Sequence, residues 1–152
     1  IVYVASGTSY ASREYVESLY KLISKLELRD QFILNFKYLD TFEIEAVFKA
    51  SDIVALPYIH ASQSGVMMMA FGFKRPVVLS DVFYDKKWIS KKAGLVFQSK
   101  DVDDFARKLN ILLSDSSLAK KYGDYGYKYS KRELNWSKIA HEYYETYKHL
   151  LQ

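Results

Sequence analysis

The sequence predicts an α/β domain, a doubly wound parallel sheet with extra helices after its last strand. Three observations lead there. Short β-branched runs recur at residues 1–5, 31–36, 52–56, 76–80 and 94–97, apolar at nearly every position. That pattern suits parallel strands covered on both faces. Segments of helical period lie between them, and after Leu113 no strand-like run follows. Strand–helix alternation repeated this often calls for right-handed crossovers and one sheet carrying all five strands.

Each element has its own signal. Val16, Leu19, Tyr20, Ile23 and Leu26 make the apolar stripe of a first helix after residues 1–5. Asp40 followed three residues later by Glu43 marks the start of the next helix. Val102, Phe105, Ala106, Leu109, Leu112 and Leu113 stripe another, and Asp103 and Asp104 suit the positive end of its dipole. Helices are expected over residues 117–129 and from Asn135 onward. In the last of these Trp136, Ile139, Ala140, Tyr143, Tyr147, Leu150 and Leu151 form an aromatic stripe, which either packs on its own domain or serves a second one.

Composition narrows the classes of function. The chain has 152 residues, 22 Lys and Arg against 18 Asp and Glu, and no cysteine. The excess of four positive charges favours phosphate-bearing ligands or membrane surfaces. Without cysteine there is neither a disulfide nor a thiolate metal site. No apolar run approaches the roughly 18 residues of a membrane span. Opening on a strand-like run, the chain is expected to be a fragment. Neither a Walker loop nor Gly-x-Gly-x-x-Gly occurs, and no Ser/His/Asp or Cys/His grouping is present, which turns the reading away from hydrolases, NTPases and dehydrogenases.

In an open parallel sheet, ligands bind beyond the carboxyl ends of the strands. That rule collects Ser6-Gly7-Thr8-Ser9, Lys37-Tyr38-Leu39-Asp40, residues 59–65 and residues 81–85. The third loop is the richest. With a helix starting near Ser64, the amides of Ser64, Gly65 and Val66 lack intrahelical partners and carry the positive dipole end, a ready phosphate site. Ser62, Gln63 and Ser64 add donors and acceptors that suit hydroxyl groups. The plainer alternative is that Ser62 or Ser64 only caps the helix, but capping needs one residue and here there are three with a glycine.

Other features read as structural. Asp101-Val102-Asp103 has a metal-like spacing, yet it opens an amphipathic helix, where dipole compensation explains it. His60, His141 and His149 lack ligand spacing, so no metal is expected. Met67-Met68-Met69 reads as packing beneath the loop. Lys120, Lys121, Lys128, Lys131, Arg132 and Lys138 make the tail basic, which suits a solvated helical face or, less simply, a membrane-docking patch.

The stretch Ala50-Ser51-Asp52-Ile53-Val54-Ala55-Leu56-Pro57-Tyr58, then Ser62-Gln63-Ser64-Gly65-Val66, then Pro76-Val77-Val78-Leu79-Ser80-Asp81-Val82 resembles the donor-binding half of glycosyltransferase family 4, or group 1. Gly94-Leu95-Val96, Asp104-Phe105-Ala106 and Trp136-Ser137-Lys138-Ile139-Ala140 continue the likeness, in order, to the end of the chain. The resemblance implies a Rossmann-like C-terminal domain of a GT-B enzyme, over residues 1–152. Such an enzyme is retaining and independent of metal or cofactor, and it takes a sugar from a nucleoside-diphosphate sugar to a glycan or lipid-linked acceptor. Ser62, Gln63, Ser64, Gly65 and Val66 would lie against sugar and diphosphate, Met69 at the position of the family's ribose-binding glutamate, and Lys37 and Tyr38 near the base. The acceptor domain and the first strand–helix unit, with its basic catalytic pair, would lie outside this chain, so the fragment alone is expected to be inactive. A cytoplasmic protein with peripheral membrane contact and no nucleic-acid partner is implied.

The chain departs from the family pattern in several places. Ala61 and Met69 stand where the family carries two glutamates, and Phe83-Tyr84 where it has Gly-Gly. Lys74 replaces the glycine after the helix, so a left-handed backbone is expected there, at a cost of about 1 kcal/mol. Two alternatives stay open: a degenerate GT-B domain kept as a binding module, and a GT-B nucleotide-sugar epimerase.

Overall fold

The computed structural model describes residues 1–6, 12–83, 89 and 92–151. They fall into two compact units, Ile1–Ala50 and Ser51–Gln152.

The first unit holds β1 (Val2–Ala5), α1 (Arg13–Lys25), a 3-10 turn (Arg29–Gln31), β2 (Phe32–Asn35) and α2 (Thr41–Ala50). β1 and β2 run parallel, Val2 opposite Phe32 and Ala5 opposite Asn35. Ser12 caps α1, its hydroxyl accepting from the Tyr15 amide at 3.2 Å. At the other end Glu27 turns left-handed at φ 56°, and the Glu27 and Leu28 amides donate to the carbonyls of Ser24 and Ile23. That pair of bonds is a Schellman closure. α2 starts on the expected reciprocal cap: the Glu43 amide donates to Asp40 Oδ1 at 2.8 Å, and the Asp40 amide to Glu43 Oε2 at 3.0 Å.

The second unit holds β3 (Val54–Leu56), α3 (Gly65–Gly72), β4 (Val77–Ser80), β5 (Gly94–Phe97), α4 (Val102–Ser114), α5 (Ser116–Glu133) and α6 (Trp136–Leu150). Its parallel strands are ordered β3-β4-β5, and every residue of the central β4 is buried. Val78, Phe97, Leu112 and Tyr122 form one core cluster, with Phe105, Leu109 and Leu118 packed against it. This joins β4 and β5 to the striped faces of α4 and α5. Buried apolar side chains of this size stabilise by about 1.5–3 kcal/mol each.

α5 comes unusually close to α3. A Cβ at Gly123 would stand 2.1 Å from the Lys74 carbonyl oxygen, and one at Gly126 2.5 Å from the Phe71 ring. Only glycine permits this approach, and it seals Phe71 completely. α3 itself ends in a Schellman closure: the Lys74 amide donates to Phe71 O at 3.0 Å and the Arg75 amide to Ala70 O at 2.8 Å. Lys74 carries φ 56°, the left-handed backbone expected from its place after the helix.

The strands pair parallel within each unit, as the α/β class requires: β1-β2 in the first and β3-β4-β5 in the second. One expectation needs correction. Among the described strands, complete burial holds for β4 only, and neither β1 nor β2 has a fully buried residue. The aromatic stripe of α6 is left open. Asn135 caps that helix, yet none of its residues is buried, and Trp136 is 82% exposed.

Candidate functional site

The candidate loop leaves β3 at Leu56 and reaches α3 at Gly65. Its first half is held from beneath. Ser80 Oγ, fully buried at the end of β4, donates to the Tyr58 carbonyl at 2.6 Å, and the Tyr58 ring stacks on Phe83 at 5.4 Å. Phe83, the described member of the pair standing for the family's Gly-Gly, therefore fills space behind the loop. Asp81 ties the neighbouring loop down, its carboxylate accepting from the Ser99 amide at 2.9 Å.

The second half meets the start of α3. Ser64 is buried and is the cap: its hydroxyl accepts from the Met67 amide and its carbonyl from the Met68 amide, both at 3.3 Å. The capping alternative is correct for Ser64. The two amides that the cap does not engage belong to Gly65 and Val66, both on exposed residues. Ser62 and Gln63 are exposed just ahead of them.

Nothing among the described residues requires glycine at position 65. Its φ is not positive, and a Cβ there would meet no atom within 4 Å. Gly123 and Gly126 stand in sharp contrast, since both face close neighbours. The open side of Gly65 continues along α3 through Val66, 36% exposed, to Met69, 37% exposed. Positions 65, 66 and 69 share one helical face. Met67 is buried beneath, so the three methionines do not all pack behind the loop: Met69 is on the outer face. Two amides that the cap leaves unengaged at the positive end of a helix, with an approach unobstructed by the described residues, can bind an anionic oxygen.

Lys37 and Tyr38 belong to the other unit. Asn35 organises their turn, its side chain donating to the Tyr3 hydroxyl at 2.8 Å and accepting from the Lys37 amide at 3.1 Å. The Lys37 ammonium donates to Glu43 Oε1 at 2.5 Å. This bond raises the lysine above its ordinary range, and with the Asp40 amide it lowers the Glu43 carboxyl. Tyr38 is fully open to solvent, at 88% exposure. Asn35 and the Lys37–Glu43 pair were not singled out in the sequence, because their partners depend on how the turn closes.

The remaining candidates resolve as structure. Asp101 caps α4 through the Asp104 amide at 2.8 Å, and Asp104 accepts from the Gln98 amide and from Arg107. Among the described residues no three His, Asp or Glu side chains cluster as metal ligands. Residues 7–9 and 84–85, the rest of the other two loops, lie outside the described residues.

The family model for glycosyl transferases group 1 matches residues 1–129. The chain belongs to that family. Its fold is shared by solved proteins of low sequence identity. A glycosyltransferase from Rickettsia africae ESF-5 superposes with a TM-score of 0.84 at 17% identity, over 99% of this chain and 40% of its own. Sucrose-phosphate synthase from Thermosynechococcus elongatus gives 0.83 at 19% identity, over 98% of this chain and 38% of its own. Anabaena Alr3699/HepE, solved in complex with UDP-glucose, gives 0.82 at 15% identity, over 96% of this chain and 40% of its own. The chain thus spans about two fifths of the length of these proteins. No curated protein matches it by sequence.

Proposed function

We propose that this chain is the donor-binding domain of a retaining, metal-independent glycosyltransferase. The donor is a nucleoside-diphosphate sugar. The acceptor, a glycan or a lipid-linked glycan, is held by an N-terminal domain outside the chain, and that domain covers the exposed stripe of α6. The whole enzyme acts in the cytoplasm, peripheral to the membrane where its acceptor is lipid-linked.

One observation carries the reading: the Gly65 and Val66 amides that the cap leaves unengaged, beside a glycine whose open side no described residue uses. Amides and dipole supply the positive potential that holds the diphosphate, so the site needs no divalent cation. Ser62 and Gln63 address sugar hydroxyls, and Met69 lies under the sugar or ribose. Lys37 and Tyr38 flank the base, with the lysine held in place by Glu43. Membership of the family supports the reading, as does the UDP-glucose complex of a protein with the same fold. The chain contributes no catalytic residue of its own in this scheme and is inactive alone.

NMR titration with nucleoside diphosphates in the presence of chelator tests this. Shifts should cluster on residues 62–66, and Gly65→Val should abolish them while leaving the fold intact. Shifts elsewhere, or only after Mg²⁺ or Mn²⁺ is added, would overturn the mechanism. A second reading has its own support: Met69 puts an exposed thioether where the family has a carboxylate. If the full-length protein binds no nucleotide, the domain is a degenerate binding module.

A further inference from the structure

The net charge of the chain is concentrated in one helix. α5 carries Lys120, Lys121, Lys128, Lys131 and Arg132 against Asp124 and Glu133, and so holds three of the four net positive charges of the protein. At 3.6 residues per turn all five cations fall on one arc. It lies opposite Tyr122, Gly123 and Gly126, the residues α5 buries. Packing is the work of that inner face, so the charges outside are not needed for folding.

Little on the surface neutralises them. Asp124 pairs with Lys120 at 2.9 Å, and Glu133 with Arg132 and Lys138 at the helix end. Lys121, Lys128 and Lys131 have no carboxylate within ion-pair distance among the described residues. Two more lysines arrive from elsewhere in the fold. Lys74 reaches the Tyr127 ring at 4.9 Å, and Lys131 lies 5.6 Å from the same ring. Lys92 borders an open groove of about 620 Å³ shared with Lys120, Lys121, Lys128 and Tyr125. The crowding is strong enough to hold the Asp124 carboxyl below its ordinary range, through Lys120 first and then Lys74 and Lys128.

The chemistry of the stripe selects its partner. From Lys120 to Arg132 it runs roughly 18 Å along the helix. That is long for one phosphate and suited to an array of them. Its cations are mostly lysines, mobile point charges that follow moving headgroups better than the rigid fork of arginine. Half-buried Tyr125 and Tyr127 stand at its two borders, where amphipathic rings favour the headgroup level of a bilayer. We propose that the outer face of α5, extended by Lys74 and Lys92, docks the protein onto anionic lipid headgroups. For the identity of that surface, though not for the charge pattern, the inference rests on the reading of a membrane-side glycosyltransferase.

Vesicle flotation with the chain as it stands tests the inference. Phosphatidylcholine vesicles containing phosphatidylglycerol should bind it at least about tenfold more tightly than phosphatidylcholine alone, and raised salt should remove the difference. Lys121→Glu with Lys128→Glu should abolish the preference, and the milder Gln pair should weaken it if the reversal disturbs folding. Lys21→Glu with Lys25→Glu, the same change of net charge on α1, should leave it largely intact. Equal binding to neutral vesicles, no binding at low salt, or an equal loss in the α1 variant would overturn the proposal. So would tight binding to heparin without binding to vesicles, which would assign the stripe to a soluble polyanion. Nucleotide titration of the unsubstituted chain, run beside the flotation, keeps the two ideas apart. Intact nucleotide shifts without vesicle binding remove only the docking surface, and the opposite result removes only the donor site.

Discussion

Gly123→Ala measures how tightly α5 is locked onto the end of α3. The added methyl would lie 2.1 Å from the Lys74 oxygen and 2.8 Å from its carbonyl carbon, where ordinary contact is 3.4–4 Å. More than an ångström must therefore open between two backbones. The Lys74 side cannot yield easily. Its turn is closed by the bonds from the Lys74 and Arg75 amides, and two residues on the Pro76 carbonyl accepts from Val54 in the sheet at 3.0 Å. Overpacking costs about 1–3 kcal/mol, and this site belongs near the top of that range. Alanine returns about 1 kcal/mol of helix propensity. The net is a destabilisation of about 2 kcal/mol, or a fall in Tm of about 4–8 °C for a chain of 152 residues. Thermal denaturation followed by circular dichroism reads it directly. Gly126→Ala should cost less, because its obstacle is a ring that can turn, and Gly65→Ala should cost nothing. A Gly123→Ala protein as stable as the parent would show that the two helices are not in this close contact.

Three further predictions use the same assays. Lys74→Gly should be about 1 kcal/mol more stable than Lys74→Ala, since both lose the contact with Tyr127 and only glycine relieves the left-handed strain; equal stability would mean that α3 ends differently. Ser64→Ala should lower stability by about 1 kcal/mol through loss of the cap, yet leave nucleotide binding within a few-fold, whereas a collapse of binding would show that the hydroxyl itself meets the ligand. The Glu43 carboxyl is lowered in the folded state, so its contribution to stability is present above the ordinary glutamate range and fades as pH falls through its depressed value. Lys37 is raised, so its share is complete at neutral pH and is lost only above the ordinary lysine range. Glu43→Gln should flatten the acid limb of a Tm–pH curve, and an unchanged limb would remove this account of the α2 start.

What the sequence disclosed follows the range of the interactions involved. Local signals were legible: the Asp40–Glu43 cap, the acidic start of α4 and the left-handed Lys74 each depend on residues within a turn of one another. The stripes of α1 and α4 located those helices for the same reason. Strand adjacency and the Gly123 and Gly126 contacts were not legible, because they join elements tens of residues apart. In the site, the sequence marked the Ser62, Gln63, Ser64 and Gly65 loop as a group but did not divide it. Only the geometry separates Ser64, committed to Met67, from Gly65 and Val66, which the cap leaves free.

That division bears on how the loop can work. Were Ser64 a ligand contact, binding would compete with the cap and loosen the helix whose dipole supports it. With the hydroxyl used internally, the amides of Gly65 and Val66 are held at fixed positions before any ligand arrives, and α3 is stiffened from behind by the buried Met67, Ala70 and Phe71. Gly126 of α5 lies against that Phe71 ring, and Gly123 against the turn that ends α3. The same helix therefore presses on the back and the end of the element that presents the amides, while its outer face carries the basic stripe. Loss of that contact should blunt nucleotide binding without touching the loop. A Gly126→Ala protein that remains folded offers the measurement: weaker binding with shifts still centred on residues 62–66 is expected. Unchanged affinity despite a lowered Tm would show that α3 holds its amides in place without help from α5.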